Sequence, residues 1–462
     1  MANLSQLLDL DVAALAQKLR DRAISPVELT QAYLDRIEAV DEQIIAYITV
    51  TAELARETAR KAEAEILAGR WRGPFHGVPI ALKDLCYTKG ILTTGGSKIL
   101  GDFVPNHDAT VWTRLSEAGA VLLGKLNLHE FAYGATSNNP HWGTCHNPYD
   151  LERIPGGSSG GSGAAIVART AAATIGPDTG GSIRIPAACC GCVGVKQTWS
   201  RVSRYGVMPL SDSLDHTGPI TRSVRDAALM LNIIAGHDPN DATSSREPVP
   251  DYTSRLGGDL KGMRVGVIRE LNTGVSEPVA RAFNAALKQL GSLGATVEEV
   301  SIPSFAEGSL VTMVVLMAEA LELHEQWMRE RPDDYGSDVR SLIETSMTIT
   351  AVNYVRAQRE RNLMLAEALD ALQKHAVLLA PTLATVAPRI DDRSYNMIAN
   401  MVRFTGPLNA TGQPVVSIPT GLSNEGLPLS MQIIGKPFDE TTVLQVADAY
   451  ERARGPLPAP KL

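Results

Sequence analysis

Between Gly156 and Pro186 the chain reads GGSSGGSGAAIVARTAAATIGPDTGGSIRIP, with one glycine–serine cluster at 156–162 and a second, TGGS, at 179–182. Glycine is used where a backbone must turn sharply, take a positive φ or let another group come close. A flexible Gly/Ser linker would be bordered by polar, low-complexity sequence. These clusters are bordered by GAAIVARTAAATI and IRIPAACCGCVGV, which read as buried. Two buried turns of this kind bring hydroxyls and unpaired N–H groups together, the raw material of an oxyanion hole with a nucleophile beside it. A phosphate-binding loop would need Lys-Ser or Lys-Thr after the glycines, and neither follows. GGSSG also fits the G-x-S-x-G nucleophile elbow. That arrangement requires an acid and then a histidine downstream, and none of His216, His237, His324 and His375 stands in an obvious triad context.

Upstream, the segment FHGVPIALKD (75–84) runs as an apolar strand into Lys83. Burial there lowers a lysine's pKa towards that of a usable base. An inward-pointing Asp84 would oppose that shift. GVPIALKD, GGSSGGS and DTGGSIRIPA together resemble the amidase signature family. NPYDLERIPGGSSGGS, GVKQTWSRVSRYGV, SLDHTGPITRSVRDAALMLNIIAGHD and GLPLSMQIIGKPFDE extend the resemblance over nearly the whole chain.

The resemblance implies Ser182 as the acyl-forming nucleophile, Ser158 as a bridging serine following a cis Gly157–Ser158 peptide, and Lys83 as the base. It implies an oxyanion hole from the backbone of Thr179, Gly180, Gly181 and Ser182, and an acyl pocket lined by Ala132, Tyr133 and Gly134 of EFAYGATSNN. Asp178 and Arg184 flank the nucleophile turn and can pair to hold it, Ser159 can join the relay, and Ser182 can also cap the IRIPAACC helix. Pro177, Gln197 and Cys189 depart from the family pattern without removing a catalytic group. The implied activity is an amidohydrolase cleaving a carboxamide or an aryl or alkyl amide, with no cofactor and no metal. The alternative is the glutamine-hydrolysing component of a tRNA-dependent amidotransferase, in which Arg361 would bind the glutamine carboxylate.

Residues 4–70 show apolar positions at helical spacing, and Ser25-Pro26-Val27-Glu28 is a capping box with proline at the first helical position. From residue 75 the period shortens. VPIAL and AVLLGKL read as strands around the helix ATVWTRLSEAG, and MRVGVIRE, EPVARAFNAALKQLGSLG and ATVEEVSIP repeat the order. Repeated β–α–β predicts an α/β fold, with a large mixed, mostly parallel central sheet covered by helices on both faces. HAVLLAPTLA, QPVVSIPTG and LPLSMQIIG supply late strands and ETTVLQVADAYERA a closing helix. A single domain over 1–462 is predicted: peripheral helices in 1–70, the signature core in 71–240, and a helical, pocket-forming region in 300–375.

With 462 residues, of which 44% are hydrophobic, the chain can bury one large core. Net charge is −8 and no long basic run occurs, which argues against nucleic acid as a partner. The acidic, amphipathic N-terminus is not a signal peptide and no apolar run reaches membrane-spanning length, so a cytoplasmic enzyme with no membrane partner is expected, with a homodimer as the family-based expectation. Five cysteines, including CCGC at 189–192, show no zinc spacing and read as small buried hydrophobes. The segment 300–405 carries no legible motif, so the acyl group and amine stay open.

Overall fold

The computed structural model describes residues 4–392, 394 and 397–462. Eleven strands form one sheet: β1 Tyr47–Val50, β2 Pro79–Lys83, β3 Val121–Leu126, β4 Ala173–Asp178, β5 Val193–Lys196, β6 His216–Thr221, β7 Arg264–Ile268, β8 Thr296–Val300, β9 Val377–Pro381, β10 Val415–Leu422 and β11 Pro428–Ile434. Their order is β1-β3-β2-β4-β6-β5-β10-β11-β9-β7-β8. Every residue of β2, β3, β4, β5, β6, β9 and β11 is buried, which requires cover on both faces of the sheet.

The sheet is mixed, but its parallel character is confined to two regions. Parallel pairings join β3-β2-β4 and β9-β7-β8. The remaining six of the ten neighbour pairings are antiparallel, which corrects the mostly parallel expectation. The reason lies in the connections. Only the stretches read as β–α–β carry a crossover helix, such as Thr110–Glu117 between β2 and β3 and Glu277–Ser292 between β7 and β8. The middle of the sheet includes the β10–β11 hairpin, whose short turn can join only antiparallel neighbours.

The N-terminal helices form as read. Ser25 caps Pro26–Ile44 and the reciprocal Glu28 bond completes the capping box. The segment that follows holds one strand among the helices: β1 pairs antiparallel with β3 at the sheet edge. Between β8 and β9 the chain makes three long excursions, the helices Gly308–Glu330, Ser337–Ser346 and Ala351–Lys374. Phe131, Tyr335 and Met328 pack with Val315 and Leu316 in one buried cluster, which seats these helices on the loop after β3.

Candidate active site

Because β2 and β4 are adjacent and parallel, their carboxyl ends open on the same side of the sheet. β2 ends at Lys83 and β4 ends at Asp178, immediately before the turn Thr179–Ser182. The glycine–serine loop 156–159 runs into the helix Gly160–Val167, and every residue from Ile154 to Val167 is buried, which rules out a linker. Gly157–Ser158 is the cis peptide among the described residues. The Ser158 carbonyl accepts from His129 N at 3.1 Å and Ser137 Oγ at 3.3 Å, fixing the loop against the segment after β3.

Lys83 has no exposed surface, and its Nζ donates to Ser158 Oγ at 2.6 Å. Burial lowers its pKa to about 7, with Cys86, Asp178 and Asp215 pulling the other way. Asp84 is not among the opposing charges. Its carboxylate turns instead to the amide and hydroxyl of Thr94 (2.7 and 2.6 Å) and to Lys125 Nζ at 3.1 Å. Gly176 in β4 has to be glycine, since a Cβ there would lie 2.6 Å from Ser159 Oγ and 3.7 Å from Lys83 Cδ. Ser159 itself donates to the Pro177 carbonyl at 3.4 Å and makes no bond to Lys83 or to either catalytic-candidate serine.

Asp178 and Arg184, both fully buried, form an ion pair at 2.9 Å. All five guanidinium donors of Arg184 are used: on both oxygens of Asp178, on Asn409 Oδ1, on Gln432 Oε1 and on the Thr405 carbonyl. Burial pushes the Asp178 carboxyl up, but the Arg184 charge and hydrogen bonds outweigh it and hold the group ionised well below the usual carboxylate range. Asp178 also caps the next helix, Arg184–Cys190, accepting from the amides of Ile183 (3.0 Å) and Arg184 (3.3 Å). Ser182 therefore does not serve as the cap.

The turn between them is clamped from two sides by residues that the sequence motifs do not mark. Thr179 Oγ1 donates to Asp215 Oδ1 at 2.5 Å, and Asp215 also accepts from the amides of Leu210 and Ser211. Thr405 Oγ1 donates to the Gly180 carbonyl at 2.6 Å, and Asn409 Nδ2 donates to the Asp178 carbonyl at 2.9 Å. Gly181 takes φ +137°, and a Cβ there would fall 2.3 Å from Thr405 Oγ1, so the clamp depends on glycine. The amides of Gly180, Gly181 and Ser182 donate to no acceptor among the described residues, and the Ser182 hydroxyl also has no partner there. Asp215 was within reach of sequence reading inside SLDHTGP; Thr405 lies in the segment without a motif.

A pocket of about 450 Å³ opens at Ser182, with Gly157, Thr179 and Gly180 on its floor. Ala132, Tyr133 and Gly134 form one wall; Phe131 (φ +50°) and Ala132 (φ +61°) hold that loop in the left-handed region. Cys189 packs behind the wall with Ile185. A larger groove of about 1020 Å³ lies among Arg169, Arg222, Arg454 and the C-terminal tail and contains none of the predicted site residues. Arg361 does not line the pocket. Its guanidinium donates to the Ala410 carbonyl and to the hydroxyl and carbonyl of Ser213. All five cysteines are buried and unpaired, and no group of three or more His, Cys, Asp or Glu among the described residues is placed to hold a metal. No helix of the described residues is long and apolar enough to cross a membrane.

The model of the Amidase family matches residues 28–444. The chain belongs to the amidase family. This amidase is 43% identical to the first, GatA-type component of the glutamyl-tRNA(Gln) amidotransferase of Geobacter sp. (strain M21), over 97% of this chain and 98% of that one. It superposes at TM-score 0.92 on a solved structure from a vestigial protein complex bearing on the origins of an s-triazine catabolic enzyme, at 33% identity over 95% of this chain and 98% of that one. A bacterial aryl acylamidase of the amidase signature family gives TM-score 0.88 at 27% identity, over 96% of each chain. Hydrolysis of C–N amide bonds is the chemistry of the amidase fold seen here.

Proposed function

We propose that this amidase hydrolyses a small-molecule amide through an acyl-enzyme on Ser182, with Ser158 and Lys83 as a proton relay. The observation that carries the reading is the buried 2.6 Å bond from Lys83 Nζ to Ser158 Oγ, made by a lysine whose pKa lies at about 7. A serine hydroxyl is a weak nucleophile without an adjacent proton acceptor. In the proposed first step Ser182 Oγ attacks the carbonyl carbon while its proton passes to Ser158 Oγ, and the Ser158 proton passes to neutral Lys83. The oxyanion that forms is met by the free amides of the 180–182 turn. On collapse the C–N bond breaks and the proton returns through Ser158 to the leaving nitrogen, which departs as a neutral amine or ammonia. Water then attacks the ester by the same route, releasing the carboxylic acid and Ser182.

In this reading Asp178, Arg184, Thr405 and Asp215 keep the turn in shape and touch no reacting atom. The enzyme is cytoplasmic, uses neither metal nor nucleotide, and has no nucleic-acid or membrane partner; a second copy of itself is the partner the family suggests. The second reading, a glutamine-hydrolysing component of a larger assembly, is favoured by the 43% identity to the Geobacter amidotransferase component. The deciding experiment is release of ammonia or amine by the purified chain alone across aliphatic, aryl and amino-acid amides. Turnover without a partner protein is expected. Activity that appears only when further proteins are added would overturn the hydrolase reading.

A further inference from the structure

Resting on that reading, we infer that the acyl pocket takes an uncharged, hydrocarbon-rich acyl group and rejects amides whose acyl part carries a charge, free glutamine included. The walls beyond Ser182 are Ile185, Leu210, Met313, Leu316, Leu342 and Val402, and no charged side chain among the described residues lines the pocket. The polar side chains at its edge are already engaged. Tyr133 OH lies 3.1 Å from Ser346 Oγ, and Thr179 Oγ1 donates to Asp215. Cations close by are also committed. Arg184 spends all five donors within its own network, and Arg361 points to Ser213 and Ala410. Behind Gly134, His129 Nε2 lies 3.1 Å from Asp338, so each of these groups faces the other.

Glutamine would bring an ammonium and a carboxylate into this pocket. A charge taken out of water without a partner is strongly disfavoured, whereas each methylene placed on such walls is favourable. The chain-length trend should therefore be about fourfold in kcat/KM per added CH₂ until the pocket is full. Specificity is set by the helices Gly308–Glu330 and Ser337–Ser346 and by Met397–Val402, which supply Met313, Leu316, Leu342 and Val402.

The test compares L-glutamine with 4-methylpentanamide, which keeps the carbon skeleton and replaces both charged groups with methyls. A preference of at least about 100-fold for 4-methylpentanamide is expected, given the cost of an unpaired buried charge. Equal or better turnover of glutamine would overturn the inference. Phosphonyl fluorides carrying a 3-methylbutyl or a carboxyalkyl chain of equal length read the same pocket without an amine, and the neutral reagent should label Ser182 faster. Labelling of Ser182 with the charged reagent favoured would sink the pocket inference alone, whereas no labelling of Ser182 by either would sink the catalytic reading. Leu342 is partly exposed, so Leu342→Lys is compatible with folding. Normalised to labelled Ser182, it should shift the ratio of glutaramate turnover to 4-methylpentanamide turnover upward by at least about tenfold, the scale on which one pocket contact discriminates. No shift in a variant that still labels would count against these helices as the specificity wall.

Discussion

The buried lysine gives the sharpest handle on the chemistry. Lys83 titrates at about 7 because burial disfavours its ammonium form. At pH 8 such a group is about 90% neutral, whereas a lysine at 10.5 is about 0.3% neutral, so burial raises the supply of competent base roughly 300-fold. Since the base acts in its deprotonated form, kcat/KM should rise about tenfold per pH unit below 7 and level off above about 8. Lys83→Ala should remove that limb and lower kcat/KM by roughly 10²–10⁴, the usual worth of a positioned general base. Amides should suffer more than matched esters, because a leaving amine needs the returned proton and an alkoxide needs it less. With Ser158 Oγ 2.6 Å from Lys83 Nζ, the two should behave as one unit, so Lys83→Ala with Ser158→Ala should cost little more than the worse single change. Steady-state kinetics across pH 5–10, on an amide and its ester, reads all of this. A limb that survives in Lys83→Ala, or strictly additive losses in the double variant, would refute the relay.

Three further outcomes follow from the same geometry. A fluorophosphonate should modify Ser182 stoichiometrically, and peptide mapping that places the adduct on Ser158 would reverse the two serine roles. Asp178→Asn leaves the Arg184 guanidinium buried without its counter-charge, so denaturant unfolding should show a loss of roughly 3–5 kcal/mol, and a change below about 1 kcal/mol would contradict the clamp. Because the folded Asp178 pKa is depressed, the pair's contribution is present above the unfolded carboxyl value of 3.8 and is lost as pH falls through the folded one. Thr405→Val removes the 2.6 Å bond to the Gly180 carbonyl and should lower kcat by about tenfold with KM little changed, while Thr405→Ser restores it; equal effects of Val and Ser would point to packing alone.

The parts legible in sequence are those whose signal is local. The β–α–β stretches carry apolar strands flanking an amphipathic helix, and the capping box at Ser25 is written in four consecutive residues. β4 is not legible as a strand, because ATIGPD has a glycine and a proline where strand patterns lack them. It is a strand because β6 and β2 pair with it, and Pro177 falls beyond the last β2 pairing at Ile175. Lys83, Ser158 and the TGGS turn stand out through glycine, since a close approach demands it. The clamp does not, because its partners are remote in sequence: Thr179 meets Asp215 36 residues on, and Gly180 meets Thr405 225 residues on. The environment of Asp84 is hidden for the same reason, as nothing local reveals Lys125 and Thr94 waiting to take its carboxylate.

The chemistry and the selectivity of this amidase are carried by different parts of the chain. Lys83, Ser158 and Ser182 sit at the ends of β2 and β4 and in the loop before Gly160–Val167, where every side chain is fixed by a fully buried sheet. The walls that meet an acyl group come from helices inserted between β8 and β9 and from Met397–Val402, and their contact residues make no hydrogen bond to the lysine or the serines. Replacing Leu316 or Leu342 changes the surface seen by a substrate without moving a proton acceptor. A relative named for glutamyl-tRNA(Gln) amidotransferase and an enzyme named for aryl amides can thus stand on one scaffold at 43% and 27% identity to this chain. Which of them this chain is closer to in substrate is decided at those walls, where it presents carbon.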